Sequence, residues 1–190
     1  MKLFKNLTVG KRLAVGFGGA MLNLLVVAAI GLWAIYTARA YSEHTIAETE
    51  HLTTAWELRS MTVEIGANVA SIVLAPDAAG RETHKQKIQV LRGDRQKQYE
   101  TLQGGADDAT TKALLAGVKD AVAKAVQVND IVMGLANTNK FNDARAEYSK
   151  QSVPTLDAAY KAVDLIAAEF QTRQKAAEQA QSQFQRTMTW

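Results

Sequence analysis

Residues 13–38 read LAVGFGGAMLNLLVVAAIGLWAIYTA and contain no Asp, Glu, Lys, Arg or His. A helix rises about 1.5 Å per residue, so this run would be roughly 39 Å long, more than the hydrocarbon core of a bilayer at about 30 Å. Near its end lie Trp33 and Tyr36, whose amphipathic rings favour the interface between membrane and water. We therefore predict a transmembrane helix over residues 13–38, and the position of the remaining chain follows from it.

Basic residues before this run predict its orientation. The first twelve residues contain no acid and four basic side chains, Lys2, Lys5, Lys11 and Arg12. Because basic residues are retained in the cytoplasm, we expect the N-terminus inside and the chain after Arg39 outside. In a bacterium, the anchor would lie in the inner membrane and the rest in the periplasm. A cleaved signal peptide is the alternative, since Ala38-Arg39-Ala40 fits an A-x-A site, but the apolar core of signal peptides is shorter, about 7 to 15 residues.

Composition excludes several classes of function. The chain of 190 residues has no Cys, so it has no disulfide, no thiolate metal site and no Cys nucleophile. Its net charge of +3 comes from the basic tip, which argues against a nucleic-acid partner. HExxH, GxSxG and Gly-rich phosphate-binding motifs do not occur in the sequence. We therefore predict neither an enzyme nor a bound cofactor or metal.

The first helix is predicted to continue from the membrane to about Leu74, because no helix breaker precedes Pro76. It carries two neighbouring seams with spacings that alternate between four and three residues. One seam consists of Leu52, Trp56, Arg59, Val63, Gly66, Ala70 and Val73. The other consists of Leu58, Thr62, Ile65, Val69 and Ile72. Two seams indicate contacts on two sides, as in a bundle helix that also faces a second subunit.

Three further helices are predicted, separated by Gly, Pro, Asn and Asp. A loop at 76–80 precedes a second helix at 81–103, which Gly104-Gly105 ends, and Asp107 or Asp108 then caps a third helix that ends near 137–139. The seam of the third helix is Leu114, Val118, Ala121, Ala125, Val128, Val132 and Leu135. The fourth helix begins at Asn142 or Asp143 and is kinked or broken at Pro154. Its seam is Leu156, Tyr160, Val163, Ala167 and Phe170, and it loosens into a stalk beyond.

Strand-like alternation is absent, so the predicted fold is an all-α antiparallel four-helix bundle whose first helix extends from the transmembrane helix. The predicted organisation is a cytoplasmic basic tip at 1–12, a transmembrane helix at 13–38 and a periplasmic bundle at 39–186. In this topology the fourth helix returns to the membrane. Residues 187–190, which end in Trp190, would then begin a second span, and we expect the chain to be part of a longer protein.

Several polar residues stand at unusual places in this pattern. Arg59 lies in an apolar seam, so it either pairs with Asp or Glu at the rim or binds a ligand carboxylate at a subunit interface. Our first interpretation of Asn68 is that its side chain forms a hydrogen bond to another helix and so sets the register of the two helices. A further polar group lies around Pro154. It could bind an anion where the helix is broken, or its charges could simply be solvated beside a kink. Its members are Arg145, Tyr148, Lys150 and Gln151, with Thr155 following the proline.

Histidines and acids near the membrane are interpreted as surface groups. His44 and His51 share a helix face with Glu48 between them, but a metal site would require further ligands. We therefore predict a solvated face here. The same interpretation applies to the carboxylates Glu43, Glu48, Glu50 and Glu57.

The opening residues resemble a known family. Residues 6–35, NLTVGKRLAVGFGGAMLNLLVVAAIGLWAI, are similar to the first segment of bacterial methyl-accepting chemotaxis proteins, with a short basic tip, a Gly/Leu-rich span and a closing GLW. The resemblance implies a periplasmic four-helix-bundle sensor that forms a homodimer around its first helices. It also implies an attractant bound between subunits, which shifts the fourth helix toward the membrane. The signal would reach a cytoplasmic histidine-kinase complex through a second span, a HAMP linker and further domains that are not in these 190 residues.

The resemblance also implies a ligand site at the dimer interface. Aspartate-type members use a Tyr and a Gln shortly before a Pro-Thr pair, and Tyr148, Gln151 and Thr155 resemble that pattern, with Ser152 and Val153 as two extra residues before Pro154. Trp56-Glu57-Leu58 resembles the family's Trp-acid-Leu step. The positions that match the family's arginines, however, read Val63 and Asn68 here, so Arg59 or Arg145 would supply the positive charge. The predicted ligand-binding residues are therefore Arg59, Asn68, Arg145, Tyr148, Gln151 and Thr155. The predicted ligand is a small organic acid or amino acid.

Two other functions stay open at this point. The same sensor could serve a histidine kinase or a diguanylate cyclase. A membrane-anchored structural bundle without a small ligand would show the same seams, because seams report packing and not ligand binding.

Overall fold

A computed structural model of the chain describes residues 8–75 and 77–188, without the side chain of Arg12. Within these ranges the α-helices are α1 Val9–Leu74, α2 Ala78–Gly105, α3 Ala109–Asn137, α4 Phe141–Glu147 and α5 Val153–Met188. A π-helical turn, Tyr148–Ser152, joins α4 directly to α5, so these three elements form one continuous fourth helix of the bundle. Three predicted features lie outside the described residues: Lys2 and Lys5 of the basic tip, Pro76, and Trp190 at the start of the expected second span.

The described part of the chain contains helices and no strand, which confirms the predicted all-α four-helix bundle. Residues 75–77, 106–108 and 138–140 connect the helices, and connections this short place consecutive helices side by side and antiparallel. Asp77 and Asp108 cap α2 and α3, because their carboxylates accept the amides of Gly80 and Thr111 at 2.7 and 2.9 Å. Asp108 was one of the two predicted caps.

Three predicted helix boundaries were wrong by one to three residues. α2 begins at Ala78, inside the predicted loop, because the Asp77 cap starts the helix early. It also includes Gly104 and Gly105, which were predicted to end it. No described glycine adopts a positive φ, so these two do not form a left-handed stop. The fourth helix begins at Phe141, one residue before the predicted start.

One face of α1 lies at the centre of the compact unit Ile46–Ala176. All members of the second predicted seam are buried: Leu58, Thr62, Ile65, Val69 and Ile72. The first seam is divided. Gly66 and Val73 are buried, whereas Trp56 and Val63 are exposed by 47% and 40%. α1 therefore has an apolar face that the bundle of a single chain does not cover.

In the predicted core seam of α3, alternate positions are correct and the positions between them are wrong by one residue. Val118, Ala125 and Val132 are buried as predicted. The predicted members between them are only half-buried, and these are Leu114, Ala121, Val128 and Leu135. Leu115, Asn129 and Ala136 occupy the core instead. The apolar pattern could not include Asn129, because its amide is polar.

A second compact unit contains the described residues up to Thr45 together with those from Ala177 on. The N-terminal part of α1 exposes large apolar side chains such as Leu24 and Leu25. By length and composition, α1 contains a stretch able to cross a membrane. In this unit the Phe184 ring lies 5.2 Å from the Tyr41 ring, and the Thr45 hydroxyl donates to Gln181 at 3.2 Å.

Gly66 marks a close approach of α5 to α1. A Cβ atom at this position would collide with the Tyr160 hydroxyl and lie 3.2 Å from a methyl group of Leu156. The absence of a side chain therefore lets Tyr160 lie against the α1 backbone. Elsewhere, Gly93 of α2 has open space where a Cβ would stand.

We expect Gly66→Ala to lower the thermal stability of the full chain, because the new methyl group displaces the Tyr160 ring. The loss should be about 1 to 3 kcal/mol, as for other overpacked sites. Thermal unfolding followed by circular dichroism in detergent micelles measures it. Gly93→Ala is the matched control and should raise stability by up to about 1 kcal/mol through helix propensity. Equal effects of the two substitutions would contradict the close approach at Gly66.

Candidate ligand-binding site

Arg59 connects α1 to α5. Its Nε donates to the Asp164 carboxylate at 2.5 Å, and its guanidinium lies 5.9 Å from the centre of the Trp56 ring. The structure thus shows the first of the two predicted alternatives, an ion pair with an acid of the bundle. Both side chains of the pair remain open to solvent, with 39% and 46% exposure. Pairs this exposed contribute only about 0.2 to 1 kcal/mol, so a competing carboxylate could displace Asp164 easily.

Asn68 lies on another side of α1 and contacts α2. Its Oδ1 is 2.8 Å from Nδ1 of His84, and its Nδ2 donates to the Glu64 carbonyl at 2.8 Å. This is the interhelical hydrogen bond predicted as its structural role. Asn68 is roughly 13 Å from Arg59 along the helix axis and faces a different neighbour. The structure therefore does not bring these two predicted residues together within one chain.

A π-helical turn precedes Pro154, where a kink or break was predicted. Proline has no amide hydrogen and its ring collides with the carbonyl four residues earlier, so a regular helix cannot continue through it. The chain widens instead, and the Val153 amide donates to the Tyr148 carbonyl five residues before it. The Ser152 hydroxyl donates to Asn129 of α3 at 2.6 Å, and both residues are fully buried. This buried bond fixes the π-helical turn to α3.

The other predicted ligand residues lie along this turn. Tyr148 is half-buried and packs against the apolar cluster at the α1–α2 end of the bundle. The Gln151 amide donates to the Glu147 carboxylate. Thr155 donates its hydroxyl to the Gln151 carbonyl at 2.9 Å. Arg145 is exposed on α4. The fourth helix thus carries Arg145, Tyr148, Gln151 and Thr155 within three helical turns.

Tyr160 lies between the two parts of the predicted site. Burial raises the pKa of the Tyr160 hydroxyl, the nearby Tyr148 raises it further, and the Arg59 charge opposes both effects. Tyr160 is thus within electrostatic reach of Arg59 on one side and of Tyr148 on the other. The sequence pattern indicated Tyr160 only as a core position. We call the surface formed by Trp56, Arg59, Tyr160 and Asp164 the α1–α5 face.

The chemistry of the α1–α5 face suits an anion. Guanidinium and phenol groups donate hydrogen bonds, and a guanidinium can bind a carboxylate with two parallel bonds. Within residues 8–75 and 77–188, no group of three or more His, Cys, Asp or Glu side chains could hold a metal ion.

Comparison with known proteins bears on the role of this bundle. Residues 6–188 match the family described as the four-helix-bundle sensory module for signal transduction. The chain belongs to this family. This membership confirms the resemblance to chemoreceptor sensor domains and makes the bundle a sensory module rather than a member of a catalytic family. Neither the search of curated proteins nor that of solved structures found a match.

The sensory module holds a second charged cluster at the opposite end of the unit Ile46–Ala176. Arg173 of α5 donates to Asp107 at 2.8 Å and lies 3.3 Å from Asp108 and 3.7 Å from Glu48 of α1. One guanidinium therefore joins α1, α5 and the connection between α2 and α3. We call these four residues the Arg173 cluster.

The predicted solvated face at Glu48 and His51 was wrong. Glu48 is 7% exposed, and its Oε2 lies 4.0 Å from Nδ1 of His51. Both atoms are buried and lack a hydrogen-bond partner within the described ranges. The His51 ring packs 5.2 Å from Phe170, which explains its burial. The predicted surface position of His44 is correct.

Two buried arginines of α2 were missed. Arg81 donates to the Ala75 carbonyl at 3.3 Å and lies 5.1 Å from the Phe141 ring centre, so it ties the first and third connections together. Arg95 is buried as well. A signal was present, because Arg81, Ile88, Arg95 and Leu102 follow each other at seven-residue intervals on the core face. Because the prediction of core positions considered only apolar residues, it missed these two arginines.

The pH dependence of stability should report on the Arg173 cluster. Hydrogen bonds from Thr111 lower the pKa of Asp108 from its ordinary value of 3.8 to about 2. A lowered pKa in the folded state means that ionised Asp108 stabilises the fold above about pH 4, and that this stabilisation is lost as the pH falls toward 2. Asp108→Ala should therefore unfold at a lower temperature than the wild type at pH 5, with a difference that shrinks between about pH 4 and pH 2.

Thermal unfolding of both proteins across this pH range measures the difference. Thr111→Val keeps the shape of the side chain and removes its hydroxyl donor, so it should shrink the acid-dependent part. A wild-type advantage that does not change between pH 5 and pH 2 would contradict the assignment.

Proposed function

We propose that this sensory module is the ligand-binding part of a transmembrane chemotaxis receptor. Residues 13–38 would anchor it in the bacterial inner membrane, with the N-terminus in the cytoplasm and the bundle in the periplasm. The module would work as a homodimer. It would bind a small anionic organic acid or amino acid between the subunits and pass the signal, through other domains, to a cytoplasmic kinase complex.

The uncovered face of α1 is the observation that supports the dimer. Its residues recur with alternating spacings of four and three: Thr53, Trp56, Ser60, Val63, Ala67, Ala70 and Leu74. Trp56, Val63 and Leu74 are large apolar side chains exposed to solvent. A seam with this spacing packs a helix against a second helix. No helix within residues 8–75 and 77–188 covers these three side chains, so a second copy of α1 is the partner with the matching surface.

Arg59 lies beside this seam and is the proposed anchor for the ligand. In the free module it is paired with Asp164 on α5. A ligand carboxylate that accepted the Nε hydrogen of Arg59 would release Asp164, because Asp164 accepts that same hydrogen in the free module. α5 would then lose a contact to α1. The contact at Gly66 presents no side chain that would block movement of Tyr160 along α1.

The proposed response is a shift of α5 along α1 toward the membrane. Ligand binding can supply the free energy that this shift requires. Breaking the Arg59–Asp164 pair costs about 1 kcal/mol or less, while the difference in ligand affinity between two states typically supplies about 1 to 3 kcal/mol. The π-helical turn between α4 and α5 is a second place where the fourth helix could change its length, since such turns recur at functional sites.

The experiment is a thermal-shift series on the full chain in detergent micelles. Malate, succinate, citrate, aspartate and glutamate serve as probes. At a concentration 100 times its Kd, a bound acid adds about 2.7 kcal/mol of stability. At least one of these acids should raise the unfolding temperature. No stabilisation by any of them would contradict the proposed ligand class and favour a structural bundle.

Charge reversal tests the role of Arg59 in the acid-binding site. Arg59→Glu should abolish stabilisation by the active acid and change the unfolding temperature of the free module only slightly, because the pair is half-exposed. Lys161→Glu is the matched control. Lys161 forms an exposed pair with Asp157 on the same helix, and its reversal should leave acid binding unchanged. Equal affinity in Arg59→Glu and the wild type would remove Arg59 from the site.

A further inference from the structure

A half-open cavity of about 440 Å³ lies between α2 and α3 of one bundle. Its volume falls in the range of small-molecule sites, about 300 to 1,000 Å³. Leu58 of α1 lines it together with Val118, Val122 and Val126 of α3. None of these residues belongs to the α1–α5 face, so the cavity is separate from the proposed acid-binding site. Its walls are those of a pocket for an apolar group.

Arg95 is the unusual residue of this cavity. Its side chain lines the cavity and the residue is only 8% exposed. Within the described ranges, no hydrogen bond or ion pair joins its guanidinium to another residue, and its nitrogen atoms are not among the buried atoms that lack a partner. The guanidinium therefore opens toward solvent through the cavity. Burial lowers the pKa of Arg95 to about 10, and Arg92 adds to the effect, so the group still carries its charge at neutral pH.

Three of the acids near the cavity are engaged by other partners, and a fourth, Asp120, lies near Tyr99. Arg92 holds Asp130 at 2.8 Å, Lys97 holds Asp94 at 2.9 Å, and Gln96 donates to Glu100 at 2.8 Å. Lys119 adds a second cation to the lining, and Glu100 is the only carboxylate there. The cavity therefore presents an unpaired guanidinium beside apolar walls.

In the cavity, several hydrogen-bond donors are free, but few acceptors are free. The Tyr99 hydroxyl is used, because it donates to the Leu115 carbonyl at 3.2 Å. The five N–H groups of Arg95 stay available. A ligand that fits must supply an anionic acceptor to Arg95 and an apolar body to the valine side chains.

We propose that the cavity between α2 and α3 binds a small monocarboxylate with an apolar body, held by Arg95. The carboxylate pairs with the buried guanidinium, and the apolar body lies against Leu58, Val118 and Val122. The site is complete within one chain. It differs in this respect from the proposed interface site at Arg59, and each bundle of a dimer would carry its own copy.

The probe for this site is para-fluorobenzoate, followed by fluorine NMR with the full chain in detergent micelles. The neutral para-fluorobenzamide has the same shape without the charge and should bind at least about tenfold more weakly. Arg95→Met keeps the length of the side chain and removes the charge, so it should weaken para-fluorobenzoate at least about tenfold. The same substitution should raise the unfolding temperature slightly without ligand, because it removes a charge that is partly desolvated and has no partner in the described ranges.

Ala123→Phe provides a second variant that leaves Arg95 in place. Ala123 is exposed and lines the cavity, so the phenyl ring should block the cavity without disturbing the core. It should abolish para-fluorobenzoate binding, whereas Arg59→Glu should leave it unchanged. Absence of wild-type binding at about 10 mM, or binding that survives both Arg95→Met and Ala123→Phe, would overturn the proposal. If para-fluorobenzoate binding is lost in Arg59→Glu alone, the probe binds at the α1–α5 face, and this result would also overturn the proposal.

Discussion

At Gly66 the Tyr160 side chain of α5 lies against the backbone of α1. Two helical turns earlier on α1, Arg59 donates a hydrogen bond to Asp164 of α5. These two contacts hold α5 on one side of α1. Asn68 holds α2 on another side through His84. With both neighbours in place, the seam of Leu58, Ile65 and Val69 is buried in the core. The face with Trp56 and Val63 is left uncovered, and the proposed dimer and its ligand site depend on that face.

Three arginines of the bundle differ in how their charge is balanced, and their environments suggest different roles. Arg173 is shared among three carboxylates. The hydrogen bond to Asp107 and the charges of Glu48 and Asp108 raise its pKa, which is the pattern of a structural clamp. Arg59 has one partner, half-exposed and easily exchanged, which suits a site that switches between an internal and an external carboxylate. Arg95 has no described partner, is buried and lines a cavity, which suits a ligand that remains inside the bundle.

Much of the fold could be predicted because heptad spacing reports burial directly. The long first helix, the Asp108 cap and the core positions Val118, Val163 and Phe170 follow from spacing and capping rules. Polar core residues could not be found in the same way. Asn129, Arg81 and Arg95 occupy core positions, but an apolar pattern treats them as surface. An ion pair of Arg59 was one of two predicted alternatives, but its partner could not be named, since the pairing with Asp164 depends on the relative register of two helices that are distant in sequence.

Disulfide cross-linking in native membranes tests the central claim, that two copies of α1 pack along the uncovered face. The chain has no Cys, so each substitution introduces a single thiol. Thr53→Cys, Trp56→Cys, Val63→Cys and Ala67→Cys should form covalent dimers under mild oxidation. Glu57→Cys of α1 and Gln98→Cys of α2 are the controls, because these two side chains hydrogen-bond to each other where α2 meets α1, and they should stay monomeric. Cross-linking confined to the seam is the predicted result. Equal cross-linking at all six positions, or at the two controls alone, would contradict the account.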